Sequence, residues 1–107
     1  MLTRENIEAE IQKVLVQLIE KYHPEKVILF GSAADPAAAG IGDLDFLVIK
    51  EDVPERGIDR ILEVETLIER HVAADILVYR PGEVAERLRL GDPLVTKILS
   101  EGRTVYG

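Results

Sequence analysis

Lys26-Val27-Ile28-Leu29-Phe30-Gly31-Ser32, followed ten residues later by Asp43-Leu44-Asp45-Phe46-Leu47-Val48-Ile49, is the stretch on which the fold turns. Residues 26–30 form a compact β-branched and apolar run stopped by a glycine, the pattern of a buried strand. Residues 43–49 predict a second strand. Its outer half is apolar on both faces, as a central strand requires. The segment between them, 33–42, is rich in Ala, Gly and Pro and is too short to link two domains.

Upstream, residues 3–22 predict a helix. Ile7, Ile11, Val14, Leu15, Leu18, Ile19 and Tyr22 recur at three- and four-residue spacing, Thr3 can cap the start and Pro24 forbids continuation. Downstream, residues 54–71 predict a second long helix with Ile58, Ile61, Leu62 and Ile68 facing the core. Residues 74–79 predict a third strand, ended by Pro81-Gly82, and 83–90 a short helix. Gly91-Asp92-Pro93 supplies a break, an N-cap and a proline at the first helical position. A last helix carries Leu94, Val95, Ile98 and Leu99 and stops at Gly102, and Thr104-Val105-Tyr106 reads as a closing strand. The expected fold is an α/β (α+β) domain, a small mixed β-sheet covered by helices, with residues 1–107 as one domain.

With 47% hydrophobic and 31% charged residues the chain has the composition of a folded globular domain rather than a disordered one. It contains no cysteine, which excludes disulfides and thiolate metal sites and suits a reducing cytoplasm, the expected location. The first residues, Met1-Leu2-Thr3-Arg4-Glu5-Asn6, lack the apolar core of a signal peptide, and no apolar run is long enough to span a membrane. A net charge of −7 opposes direct contact with a nucleic-acid backbone. Arg80, Arg87 and Arg89 form only a loose basic group. A nucleotide carried with a divalent cation is easier to reconcile with an acidic chain, because the metal supplies the missing positive charge.

Gly31-Ser32 directly follows a strand. Glycine lets the backbone approach a ligand closely, and the Ser32 amide and hydroxyl could both donate to a phosphate; the plain alternative is a strand-ending turn. In Asp43-x-Asp45 the two-residue period puts both carboxylates on one face of a strand. Two adjacent acids repel unless a cation joins them, and carboxylate with phosphate oxygens is the hard donor set that magnesium prefers. Asp75, at the start of the third strand, reaches the same place if that strand neighbours the second. The histidines have local explanations: His23 and His71 each sit where a helix is expected to end, and a cation is favourable there. Tyr79, Arg80 and Tyr106 could stack on a base or a partner, but strand-end packing accounts for the tyrosines. The acids of the 54–71 helix (Glu55, Asp59, Glu63, Glu65, Glu69) read as a solvated face paired with Arg56, Arg60 or Arg70.

Leu29-Phe30-Gly31-Ser32, Asp43-Leu44-Asp45-Phe46-Leu47-Val48, Ala74-Asp75-Ile76-Leu77-Val78 and the tail Ile98-Leu99-Ser100-Glu101-Gly102-Arg103-Thr104-Val105-Tyr106 together resemble the minimal nucleotidyltransferase family of the DNA polymerase β-like superfamily. The resemblance implies the palm-like nucleotidyltransferase fold and transfer of a nucleoside monophosphate, often AMP from ATP, with Mg2+. It gives Ser32, with Gly31, the grip on the triphosphate. Asp43 and Asp45 become the metal ligands, joined by Asp75, which also helps to deprotonate and orient an acceptor hydroxyl. Many small members resemble the antitoxin half of a toxin–antitoxin system whose partner is a helical HEPN-type toxin, and the acceptor would then be a hydroxyl on that partner. The family commonly carries basic residues after Gly-Ser, a second glycine soon afterwards and a serine before the first Asp; this chain has Ala33-Ala34-Asp35-Pro36 and Gly42. That departure keeps a second expectation open, a weak or inert antitoxin-like module that neutralises its partner by contact. A third, a haloacid-dehalogenase-like phosphatase with Asp43 as nucleophile, needs the Asp pair at the end of its strand, whereas here it precedes the apolar run. Which nucleotide is used stays open, and a homodimer is compatible with the sequence.

Overall fold

The computed structural model describes residues 3–38 and 42–107; Met1, Leu2 and the middle of the 33–42 connection, residues 39–41, lie outside the described residues. Helix α1 (Arg4–Gln17) begins where Thr3 accepts a hydrogen bond from the Asn6 amide. It runs on as a wider π-helical turn, Leu18–Tyr22, and closes at His23, whose left-handed backbone (φ 56°) donates its N–H to Leu18 O. His23 is thus a helix cap through its main chain. Strands β1 (Lys26–Phe30) and β2 (Leu44–Ile49) follow, separated by a 3-10 turn at Gly31–Ala34. Then come α2 (Gly57–Leu67), β3 (Ala74–Tyr79), α3 (Pro81–Arg89), α4 (Pro93–Glu101) and β4 (Arg103–Tyr106).

The fold is a four-stranded mixed sheet in the order β3-β2-β1-β4, covered by helices. β1 pairs antiparallel with both β2 and β4, and β2 pairs parallel with β3 across the α2 crossover. Strand alternation divides the core. Val27, Leu29, Phe46, Val48 and Ile76 face α1, packing on Ile7, Ile11, Val14 and Leu18. Ile28, Leu47 and Ile49 face the other way, onto Val84 of α3 and Val95 and Ile98 of α4. α4 comes so close to β1 that a Cβ on Gly102 would collide with Ile98 O and Ile28 Cγ2.

Two helices differ from the sequence expectation. α3 starts at Pro81 rather than 83, because Pro81 occupies its first turn and Glu83 accepts from the Arg80 amide at 2.7 Å. α2 covers Gly57–Leu67 rather than 54–71, so His71 ends no helix. Of the four residues expected in its core face only Ile68, just past the helix end, is buried; Ile58 (55% exposed), Ile61 (39%) and Leu62 (56%) look outward, while Arg60 is buried with Val64. Arg60 is therefore not part of a solvated face. Its guanidinium makes two hydrogen bonds to the Glu83 carboxylate, at 2.7 and 3.1 Å, and donates to the carbonyls of Pro54, Glu55 and Val78. Arg56 and Arg70 do pair along their own segment, with Asp59 and Glu65. In the last helix Val95 and Ile98 are core, but Leu94 and Leu99 are exposed.

Arg60 ties α2 to α3 over the end of β3, and Glu83, held by that guanidinium, has its carboxyl lowered to about 2. Arg60→Ala should destabilise the chain by about 3 kcal/mol. That is the low end for breaking a buried pair, because Glu83 is partly solvated. A folded-state value below the ordinary 4.5 means that the contribution is complete above pH 4.5 and is lost as pH falls through about 2. Urea unfolding across that window should show the wild type losing stability on acidification more steeply than Arg60→Ala.

Candidate functional site

One end of the sheet gathers the residues singled out by sequence. β1 ends there, and β2 and β3 both begin there. The register places Phe30 opposite Asp45, and Asp45 beside Asp75 on the parallel neighbour. Asp43 lies one residue before β2 and is exposed. Asp45 and Asp75 share the sheet face that also carries Leu47 and Leu77, because both strands alternate in step.

Gly31 follows in the left-handed region (φ 72°), and a Cβ there would overlap the Asp45 carboxylate oxygen Oδ2. Glycine is needed at this position twice over, for its backbone angle and for the room it leaves to Asp45. Ser32, half-buried, opens the turn, and its carbonyl accepts from the Asp35 amide at 3.1 Å. The Asp45 carboxyl is pushed above its ordinary value, first by burial, then by the charges of Asp75 and Asp43, and by a side-chain hydrogen bond with Asp75. The three carboxylates therefore interact, although no group of three His, Asp or Glu side chains among the described residues stands in metal-ligand geometry. That arrangement still fits magnesium. The donors are all hard oxygens, and this ion takes one or two carboxylates and completes its shell with water and substrate phosphates rather than a protein cage.

Two hollows meet at Phe30, which lines both. One, about 310 Å³, holds Asp45 and Asp75 and reaches Ile61 and Glu65 of α2. The other, about 640 Å³, lies between the Gly31–Ala34 turn and α4, bordered by Ser32, Asp35, Lys97 and Glu101 over an apolar floor of Leu94 and Ile98.

Sequence reasoning missed two cations here. Arg4, at the first residue of α1, donates to the carbonyls of Ala33 (3.0 Å) and Asp35 (2.9 Å), so a guanidinium clamps the turn from a distant part of the chain. Lys97 lines the groove beside Ser32. Neither had a local signal, since both are brought in by tertiary packing. Asp35 turns its carboxylate onto its own segment, where Oδ1 accepts from the Ala37 amide at 2.9 Å. The arginines of the loose basic group are engaged elsewhere: Arg80 with Glu83, Glu51 and Glu55, Arg87 with Asp92, and Arg89 with Glu86. Arg87 also stacks on the Tyr79 ring at 4.8 Å.

Compared with protein-family models, curated proteins and solved structures, the chain finds no match. No helix among the described residues is long and apolar enough to cross a membrane.

The crowding around Asp45 has a measurable cost. Its raised folded-state value means that stability falls as pH rises from 3.8 through that value. At neutral pH, Asp45→Asn should therefore raise the melting temperature of the metal-free protein. Gly31→Ala should lower stability by about 1–2 kcal/mol from backbone strain alone, with further loss where the carboxylate is displaced. Paired thermal melts in EDTA read both effects.

Proposed function

We propose that the chain is a magnesium-dependent nucleotidyltransferase that moves a nucleoside monophosphate, AMP from ATP in the first instance, to a hydroxyl on a small helical partner of the HEPN type. The observation that carries this reading is the register of the sheet. Gly31, Asp45 and Asp75 lie side by side at one sheet end, with the Ser32 groove adjoining. The likeness to minimal nucleotidyltransferases in these same segments supports it.

In this reading each residue has one task. Gly31 leaves room for the Asp45 carboxylate, and Ser32 offers its hydroxyl to the triphosphate in the groove. Lys97, on the opposite wall, supplies positive charge that Ala33 and Ala34 do not. Asp43 and Asp45 would hold magnesium, which when bound neutralises phosphate charge and polarises the phosphorus. Asp75 accepts the proton of the acceptor hydroxyl. The hydroxyl oxygen then bonds to the α-phosphorus, and the bond to the bridging oxygen breaks, releasing pyrophosphate. A phosphatase with Asp43 as nucleophile is disfavoured, since Asp43 precedes the strand.

A second reading, an antitoxin that acts by contact alone, is favoured by Ala33 and Ala34 where a family member carries basic residues. The two are separable. With α-labelled ATP, magnesium and the protein encoded next door, label should pass to the partner, and Asp45→Asn or Asp75→Asn should reduce transfer about 100-fold or more. Transfer that survives both substitutions rejects the enzyme. Neutralisation of the partner by an Asp43→Ala/Asp45→Ala variant, without label transfer by the wild type, supports the contact reading. ATP with magnesium at about 100 times its Kd should stabilise the wild type by about 2.7 kcal/mol, and the double variant far less.

A further inference from the structure

Helix α2 departs from an ordinary amphipathic helix on both sides, with a charged residue beside Val64 on its buried face and large apolar residues on its exposed one. Its inward face is anchored by the charged Arg60, and its outward face carries Ile58, Ile61 and Leu62, each more than a third exposed. Those three sit at the i, i+3, i+4 spacing by which one helix grips another. The stripe is also continuous with the carboxylate hollow, because Ile61 is part of that hollow's wall together with Asp45 and Asp75.

We infer that this face is the docking surface for the acceptor, and that its occupant is an amphipathic helix of a partner protein whose apolar side chains are flanked by Lys and Arg. The assignment rests on the proposed transferase reading for what the bound helix would present to Asp75, and on charge for its identity. The chain carries −7 overall. The cations near the stripe are already engaged: Arg56 with Asp59, Arg60 with Glu83, and Arg70 with Glu65. Asp43, Asp45 and Asp75 add negative charge at the hollow end. A second copy of this chain on the same face would bring two such acidic surfaces together, so self-pairing is opposed. A basic helix is drawn to the same surface.

Two synthetic helical peptides with one shared leucine stripe, one flanked by Lys and Arg and one by Glu, test this in solutions without nucleotide or magnesium. The basic peptide should bind and shift the methyl resonances of Ile58, Ile61 and Leu62, and the acidic peptide should not. An Ile58→Ser/Leu62→Ser variant with unchanged circular dichroism should bind the basic peptide about tenfold more weakly, the loss expected for removed anchors. Val16→Ser, at an exposed position on α1, should bind it as the wild type does. The inference is overturned by no binding of the basic peptide, by equal binding of both, by undiminished binding to the double variant, or by equal weakening in Val16→Ser. It is also overturned by a concentration-dependent dimer that the double substitution abolishes, which would give the face to a second copy. Because nucleotide is absent, failure here leaves the transferase reading standing. Peptide binding by a chain that ATP with magnesium does not stabilise would keep the surface and remove the catalysis.

Discussion

Everything at the candidate site depends on one constraint: a carboxylate must stand near the first position of the central strand. β2 is buried along nearly all its length, and Asp45 is its one ionisable residue. The strand lies between β1 and β3, so the environment of Asp45 is set from both sides, by the chain leaving Phe30 and by Asp75. The backbone at Gly31 takes a left-handed turn where a side chain would collide with the acid. The fold therefore holds mutually repelling carboxylates at the head of its central strand. On the proposed transferase reading, a divalent cation bridging to phosphate relieves that repulsion.

Helix α2 is fastened partly by a charge. On the sheet face covered by α1 and the π-helical turn, α2 adds Val64 and Leu67, with Ile68 just beyond its end, to the core. Arg60 is buried beside Val64 and satisfies its charge on Glu83 and three carbonyls. Turning Arg60 inward rotates Ile58, Ile61 and Leu62 outward. An apolar stripe beside the carboxylates is thus the direct consequence of how α2 is fastened.

The strands and most helix ends were legible in the sequence because they depend on local pattern. Lys26–Phe30 and Ala74–Tyr79 were bounded by Gly31 and Pro81, Asp92 capped α4 onto the Val95 amide, and Thr3 capped α1. The convergence of Asp45 and Asp75 was legible only conditionally, since it required β3 to lie next to β2. The orientation of α2 was not legible. Its apolar residues satisfy helical periodicity equally well facing in or out, and the decision was made by Glu83, 23 positions beyond Arg60. Arg4 and Lys97 were invisible for the same reason, as neither is close in sequence to the turn or groove it serves.

Those two cations bear on the segment that separates this chain from the family it resembles. With Ala33 and Ala34 after Gly31-Ser32, the turn itself offers no side-chain positive charge to a triphosphate. Arg4 spends its hydrogen bonds on the carbonyls of Ala33 and Asp35, so it holds the turn's shape. Asp35, bonded to the Ala37 amide, is held by its own loop. Lys97 then remains as the cation on the groove wall, carried by the same α4 whose Gly102 fits tightly against β1. The cations near the turn and groove therefore come from α1 and α4 rather than from the turn itself. On the proposed transferase reading, the groove's positive charge for a phosphate comes from α4 and depends on how that helix packs against the sheet.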